Sequence, residues 1–247
     1  MTLHLKGKVA LVTGGSRGIG ESIVKRLAAD GARVAFTYVS SERRAQGVVE
    51  AVKSAGGTAI ALKADSGKPE EVLASIGAAV EEFGSLDVLV NNAFSGIIGS
   101  FDTYSLEDFD TMVGVNLRGL FVATQGAVAH LGQGGKIINI GSIMADRQPP
   151  GALGVAVYNM CKSAVAGFTR GLAREPGARG ITVNTVQPGS ILTDAVSQDA
   201  AEHWLPLTPV GRNGVPDDVA GLVAFLASEQ ADFVSGATLN VDGGFAS

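Results

Sequence analysis

Cysteine is all but missing. Cys161 stands alone among 247 residues, which excludes an intrachain disulfide and fits a reducing compartment. Histidine is nearly as sparse: His4, His130 and His203 lie far apart, offer no ligand spacing, and lead us to expect no metal site. Charged residues make up 17%, and the formal net charge of −5 argues against a nucleic-acid partner, which would call for a basic face. Long hydrophobic runs are absent too. Charges or turn residues interrupt each apolar stretch before the roughly 18 residues of a membrane span. The opening Met1-Thr2-Leu3-His4-Leu5-Lys6 holds no apolar core of the length a secretory signal needs. A cytoplasmic protein is expected.

Hydrophobic residues are plentiful at 46%, beside 34 glycines. A chain of this length buries roughly three quarters of its unfolded surface, so it needs no covalent staples. No linker or low-complexity tract divides it, and a single domain over residues 1–247 is expected. Val9-Ala10-Leu11-Val12 reads as a buried parallel strand. Thr13-Gly14-Gly15-Ser16-Arg17-Gly18-Ile19-Gly20 follows, then an amphipathic helix through Ile23, Val24, Leu27 and Ala28. Strand, glycine-rich turn and helix in this order point to dinucleotide binding: glycines let backbone approach a ligand, and the helix N-terminus offers free N–H groups to a pyrophosphate.

Arg33 to Tyr38 forms the second strand, whose end decides between NAD and NADP in such folds. No carboxylate stands there. Arg17, Ser40, Ser41 and Arg43 or Arg44 offer a surround for a 2′-phosphate, which favours NADP(H) over NAD(H) despite Glu42. A third strand covers Thr58 to Leu62. Asp65, beyond it, is either a hydrogen-bond acceptor for the adenine amine or a cap for the helix opened by Pro69. Leu86 to Val90 is the fourth strand and runs into Asn91-Asn92-Ala93.

A long helical pattern from Ser105 to Val128 carries Asn116 among mainly apolar neighbours, where a polar amide must find partners. Lys136 to Ile140 is the fifth strand and leads into Gly141-Ser142. Ligands of open parallel sheets bind beyond the carboxyl ends of the strands, which puts Ser142 at the active edge. Tyr158 and Lys162, four apart, share one face of a helix. A cation beside a phenol favours the phenolate and makes tyrosine usable as a general acid or base. Ile181 to Val186, then Pro188-Gly189, and Thr238 to Val241 supply the last two strands. About seven strands alternating with helices specify an α/β, Rossmann-like, doubly wound parallel sheet with helices on both faces.

Taken together, the glycine turn, Asn91-Asn92-Ala93, Asn116, Ser142, Tyr158 with Lys162, and Pro188-Gly189 resemble the short-chain dehydrogenase/reductase family over essentially the whole chain. The likeness is nearest its 3-oxoacyl-[acyl-carrier-protein] reductase and glucose-dehydrogenase-like branch, including the ending Asn240-Val241-Asp242-Gly243-Gly244. The resemblance implies an NADP(H)-dependent carbonyl reductase or alcohol dehydrogenase with a small-molecule substrate, assembled as a homotetramer. It implies that Tyr158 exchanges a proton with the substrate oxygen and that Lys162 lowers the Tyr158 pKa and holds the nicotinamide ribose. Ser142 would bond the substrate oxygen, and Asn116 would hold a water that reaches Lys162. It further implies that Gly14, Ser16, Arg17, Gly18, Ile19 and Gly20 line the diphosphate and ribose. Tyr38, Ser40, Ser41, Arg43, Asp65 and Ser66 would line the adenosine side, with Asn92 and Ala93 near its ribose. Pro188, Gly189, Ile191 and Thr193 would bracket the nicotinamide.

This sequence departs from the family pattern in places. Phe94 replaces the usual glycine after Asn-Asn-Ala, and the loop around Arg147-Gln148-Pro149-Pro150-Gly151 looks longer than usual. Pro176 should end the preceding helix by Glu175. Two other functions remain on the table: reduction of 3-oxoacyl thioesters, with Arg118, Arg170 and Arg174 as a candidate carrier-docking patch, and a non-catalytic NADP-binding regulator.

Overall fold

The computed structural model describes residues 4–149, 151–194, 196 and 198–247. Met1, Thr2 and Leu3, part of the segment read as lacking a signal core, lie outside the described residues, as does Pro150 of the longer loop. Seven strands form one parallel sheet: β1 (Val9–Val12), β2 (Arg33–Tyr38), β3 (Thr58–Lys63), β4 (Leu86–Asn91), β5 (Leu131–Ile140), β6 (Thr182–Pro188) and β7 (Thr238–Val241). Their order is β3-β2-β1-β4-β5-β6-β7. The order reverses at β1, where β4 pairs on its other side, and this switch opens the crevice in which open sheets bind ligands.

The helices are α1 (Gly18–Ala29), α2 (Glu42–Ser54), α3 (Pro69–Phe83), α4 (Leu106–Val113), α5 (Leu120–Val128), α6 (Ala156–Leu172), α7 (Gln198–Trp204) and α8 (Pro216–Ala227). Alternate residues of the central strands point to opposite faces and build two cores. Val12, Val34, Phe36 and Val90 meet α1, α2 and α8 on one side. Leu11, Leu89, Ile137 and Val183 meet α3 and α5 on the other. The strands are apolar on both faces because both are covered.

The helix after Ser105 differs from the sequence reading. The long helix expected from Ser105 to Val128 is interrupted by a π-helical segment, Gly114–Gly119, with Asn116 inside it. Gly119 explains the close fit there, since a Cβ would run into the Ser66 carbonyl. The helix before Pro176 ends at Leu172, in keeping with the expected stop by Glu175.

Candidate active site

A buried polar chain lies beneath the carboxyl edge. Asn91 donates to Thr124 Oγ1 and Asn139 Oδ1 (both 2.9 Å), Asn139 donates to Thr169 Oγ1 (2.9 Å), and Thr169 meets Thr185 at 2.7 Å. It ties the ends of β4, β5 and β6 to α6, the helix that carries Tyr158 and Lys162. Its Asn139, Thr169 and Thr185 links hold α6 against β5 and β6, while Asn91 Oδ1 at the far end is buried without a partner among the described residues. The sequence reading missed this polar chain; five polar residues in otherwise apolar segments were the available sign.

Above it opens a cavity of about 700 Å³, within the range of ligand pockets. The glycine turn forms one wall. Gly14 (φ 68°) and Gly18 (φ 53°) hold left-handed backbone that other residues resist, and a Cβ on Gly14 would press on Ala93. Asn92 secures this turn by donating to the Thr13 and Gly14 carbonyls (3.0 and 2.9 Å), so its amide is spent on scaffold rather than free for a ligand. Behind the turn, the first N–H groups of α1 face the cavity without helical partners, as at every helix start. Ser16, Arg17, Ile19 and Gly20 line the same wall, and Tyr38, Ser40 and Ser41 continue it beyond β2.

Arg44, not Arg43, reaches this cavity; Arg43 lies exposed on α2 and is absent from the lining. The correction follows from helix geometry, since neighbouring residues point about 100° apart. Arg44 spans to Asp194, beyond β6, at 2.7 Å. Asp65 and Ser66 line the wall, but Asp65 is no helix cap: Lys68 holds the position before α3, and Asp65 Oδ1 accepts the Gly67 N–H at 2.8 Å. Ala93, Pro188, Gly189, Ile191 and Thr193 close the far side.

Ser142, Tyr158 and Lys162 line the same space. The Ser142 hydroxyl accepts the Met144 N–H at 3.2 Å. Lys162 is buried, and its ammonium donates to the Ile140 carbonyl at 2.9 Å, with the Tyr158 ring 5.7 Å away. Burial carries Lys162 down from its ordinary 10.5 to about 8. Desolvation also raises the Tyr158 pKa, and the neighbouring Ser142 hydroxyl only partly offsets this. This corrects the expectation that Lys162 makes the phenol more acidic. In the protein itself desolvation outweighs charge, because the ammonium is turned to a backbone carbonyl and is itself weakened by burial.

Asn116 lies outside the cavity lining, its amide donating to the Ser95 and Met112 carbonyls (both 2.9 Å). Its Oδ1 is buried and has no partner among the described residues. The loop after Ser142 is well tied: Asn159 donates to Gln148 (3.1 Å) and Arg147 to the Ser247 carbonyl (2.6 Å). Trp204, within the 190–210 segment that the sequence marks as pocket-forming, and Phe245, missed from sequence, complete the lining. Phe245 arrives from a chain-distant segment that no local motif marks.

Residues 14–246 match the family model described as enoyl-(acyl carrier protein) reductase. The chain belongs to the short-chain dehydrogenase/reductase family. It is 41% identical to a 3-oxoacyl-[acyl-carrier-protein] reductase of Staphylococcus aureus, over 96% of this chain and 97% of that one. It is 40% identical to the cyclic-di-GMP-binding biofilm dispersal mediator protein of Escherichia coli, over 97% of each. A short-chain dehydrogenase from Burkholderia cenocepacia, solved in complex with NADP, superposes with a TM-score of 0.95 at 46% identity, over 99% of this chain and 100% of that one. As a short-chain dehydrogenase/reductase, the protein is an oxidoreductase with a Rossmann-like sheet. Among the described residues no helix is long and apolar enough to cross a membrane.

Proposed function

We propose that the protein is an NADP(H)-dependent oxidoreductase acting between ketones and secondary alcohols, with Tyr158 as general acid and base. One observation carries the reading: Tyr158, Ser142 and Lys162 converge on the cavity that also holds the glycine turn. The bare backbone at Gly14 and Gly18 leaves room that side chains would fill, which suits close approach of a diphosphate. When bound, the nicotinamide supplies or accepts the hydride.

Arg17, Ser40, Ser41 and Arg44 provide donors for a 2′-phosphate, and no carboxylate ends β2. The NADP in the Burkholderia relative supports the same choice over NAD(H). Asp65 and Ser66 stand on the adenine side, and Pro188, Gly189, Ile191 and Thr193 on the nicotinamide side. Near neutral pH the partly buried phenol keeps its proton, so Tyr158 can deliver it to a carbonyl oxygen. Ser142 donates to the same oxygen and spreads its developing charge. Lys162 holds ribose hydroxyls, and Asn116 Oδ1 offers an acceptor for a water leading to Lys162, a route for proton resupply. A cytoplasmic homotetramer is part of the same proposal.

Tyr158→Phe tests the reading. Turnover of ketones should fall by about 10² or more while NADPH affinity, measured by fluorescence titration, stays within a few fold. Retained turnover removes Tyr158 from the mechanism.

The Staphylococcus relative favours a second substrate, a 3-oxoacyl thioester on a carrier protein. Docking an acidic carrier calls for a basic patch. Arg118, one of the candidates, instead stands in a separate surface hollow beside Asp65, Glu107 and Asp110. Comparing carrier-bound with free ketones decides between the two. The Escherichia coli relative favours a non-catalytic regulator. Against it stands the convergence of Tyr158, Ser142 and Lys162 on one cavity, since binding alone needs no such arrangement; absence of NADPH oxidation over a broad ketone panel would favour it.

A further inference from the structure

The cavity changes character along its length. Its charged lining residues are Arg17, Arg44, Asp65, Lys162 and Asp194, and all but Lys162 belong to the glycine turn, α2, the end of β3 and the segment after β6. Phe94, Ile98, Pro149, Val155, Trp204 and Phe245 add an apolar wall drawn from four chain-distant stretches. These stretches are held against one another. Gly99 N–H donates to the Gly154 carbonyl at 3.1 Å and Ile98 packs on Gly154, so the strap after β4 rests on the loop before α6. His203, next to Trp204, approaches Gly151 of that loop.

Phe94 is the exceptional member. Its ring centre lies 5.9 Å from Lys162 Nζ, with the Tyr158 ring 5.7 Å from the same nitrogen, so two aromatic rings flank one ammonium beside the reacting phenol. Yet Phe94 is 49% exposed and Ile98 is 69% exposed. An aromatic ring left half-wet at the centre of a pocket gains most when a flat apolar group covers it, since that releases the water lying on its face. Apart from the neighbouring Lys162, which donates to the Ile140 carbonyl and is assigned to the ribose hydroxyls, the described residues of this wall carry no charge, so the wall suits an uncharged group better than an anionic or phosphorylated one.

Resting on the ketone-reductase reading, we propose that Phe94 determines specificity by giving a shelf to the ring of an uncharged aryl ketone, whose carbonyl then points to Tyr158 and Ser142. Ile98, Val155 and Trp204 complete the enclosure.

The test measures kcat/KM with NADPH for acetophenone and for 2-butanone on the full-length protein. The wild type favours acetophenone by about tenfold or more. Phe94→Ala lowers that ratio about five- to tenfold, chiefly through a higher KM for acetophenone. Phe94→Leu, which keeps apolar bulk without a ring, loses part of the preference, and Phe94→Tyr retains it. NADPH fluorescence confirms that each variant is folded. A ratio unchanged in both Phe94→Ala and Phe94→Leu, or a wild type that handles 2-butanone as well as acetophenone, overturns the proposal and leaves the ketone-reductase reading standing. No turnover of either ketone overturns both.

Discussion

At Lys162 the folded protein holds a proton less firmly than the unfolded chain does. The unfolded lysine stays charged up to about its ordinary 10.5, the folded one only to about 8. Between these values the unfolded state binds more protons, so the contribution of this group to stability climbs with pH. Denaturant midpoints of the wild type should therefore rise from pH 8 to 10 relative to Lys162→Met, and parallel curves would show that the ammonium is not buried. The spacing of Tyr158 and Lys162 was legible in the sequence, because four residues make one helical turn whatever surrounds them. The direction of the Tyr158 shift was not, because burial comes from the loops and strands folded over the pair. Arg43 against Arg44 was equally out of reach: one residue along a polar helix start decides which side chain faces the cavity, and no apolar periodicity marks that side.

Single elements show the same division. α8 begins at Pro216, and Asp218 in its first turn accepts the Val215 N–H (2.8 Å) while pairing with both terminal nitrogens of Arg212 (2.7 and 2.9 Å). The Arg212 bonds come first, and the Val215 N–H second, in drawing the Asp218 carboxyl down to about 2. The stabilisation it provides is present above pH 3.8 and fades as pH falls through about 2. Asp218→Ala should cost about 1 kcal/mol at pH 7 and shift Tm by about 2–4 °C, with the difference shrinking in acid. Thermal unfolding at pH 7 and pH 3 checks both. The strands and most helices were legible to within a few residues, since apolar runs between glycines announce them. The π-helical segment at Gly114–Gly119 was not. An extra residue in one turn leaves the apolar pattern on either side nearly in phase, so Asn116 reads as an ordinary helical residue until coordinates show its turn.

For the molecule as a whole, a doubly wound parallel sheet followed from alternating strands and helices together with the right-handed crossover rule, whereas the strand order is read from the structure. At the substrate end the sequence points to the residues around Phe94, the 147–154 loop and the 190–210 segment, and all three supply lining residues; Phe245, which arrives from a distant stretch, was not legible. Cofactor binding should act on the entire fold. Ligand at about 100 times its Kd stabilises by about 2.7 kcal/mol. NADPH should therefore raise Tm by several degrees and by more than NADH at equal concentration, and Arg44→Ala should narrow that gap. An equal rise with both cofactors in the wild type would contradict a 2′-phosphate site at Arg44. The clasp between Arg147 and Ser247, with Phe245 two residues earlier in the pocket wall, has a practical corollary for anyone preparing the enzyme. A purification handle fused behind Ser247 pulls on the rim that the substrate must pass, whereas one placed ahead of β1 leaves that rim undisturbed.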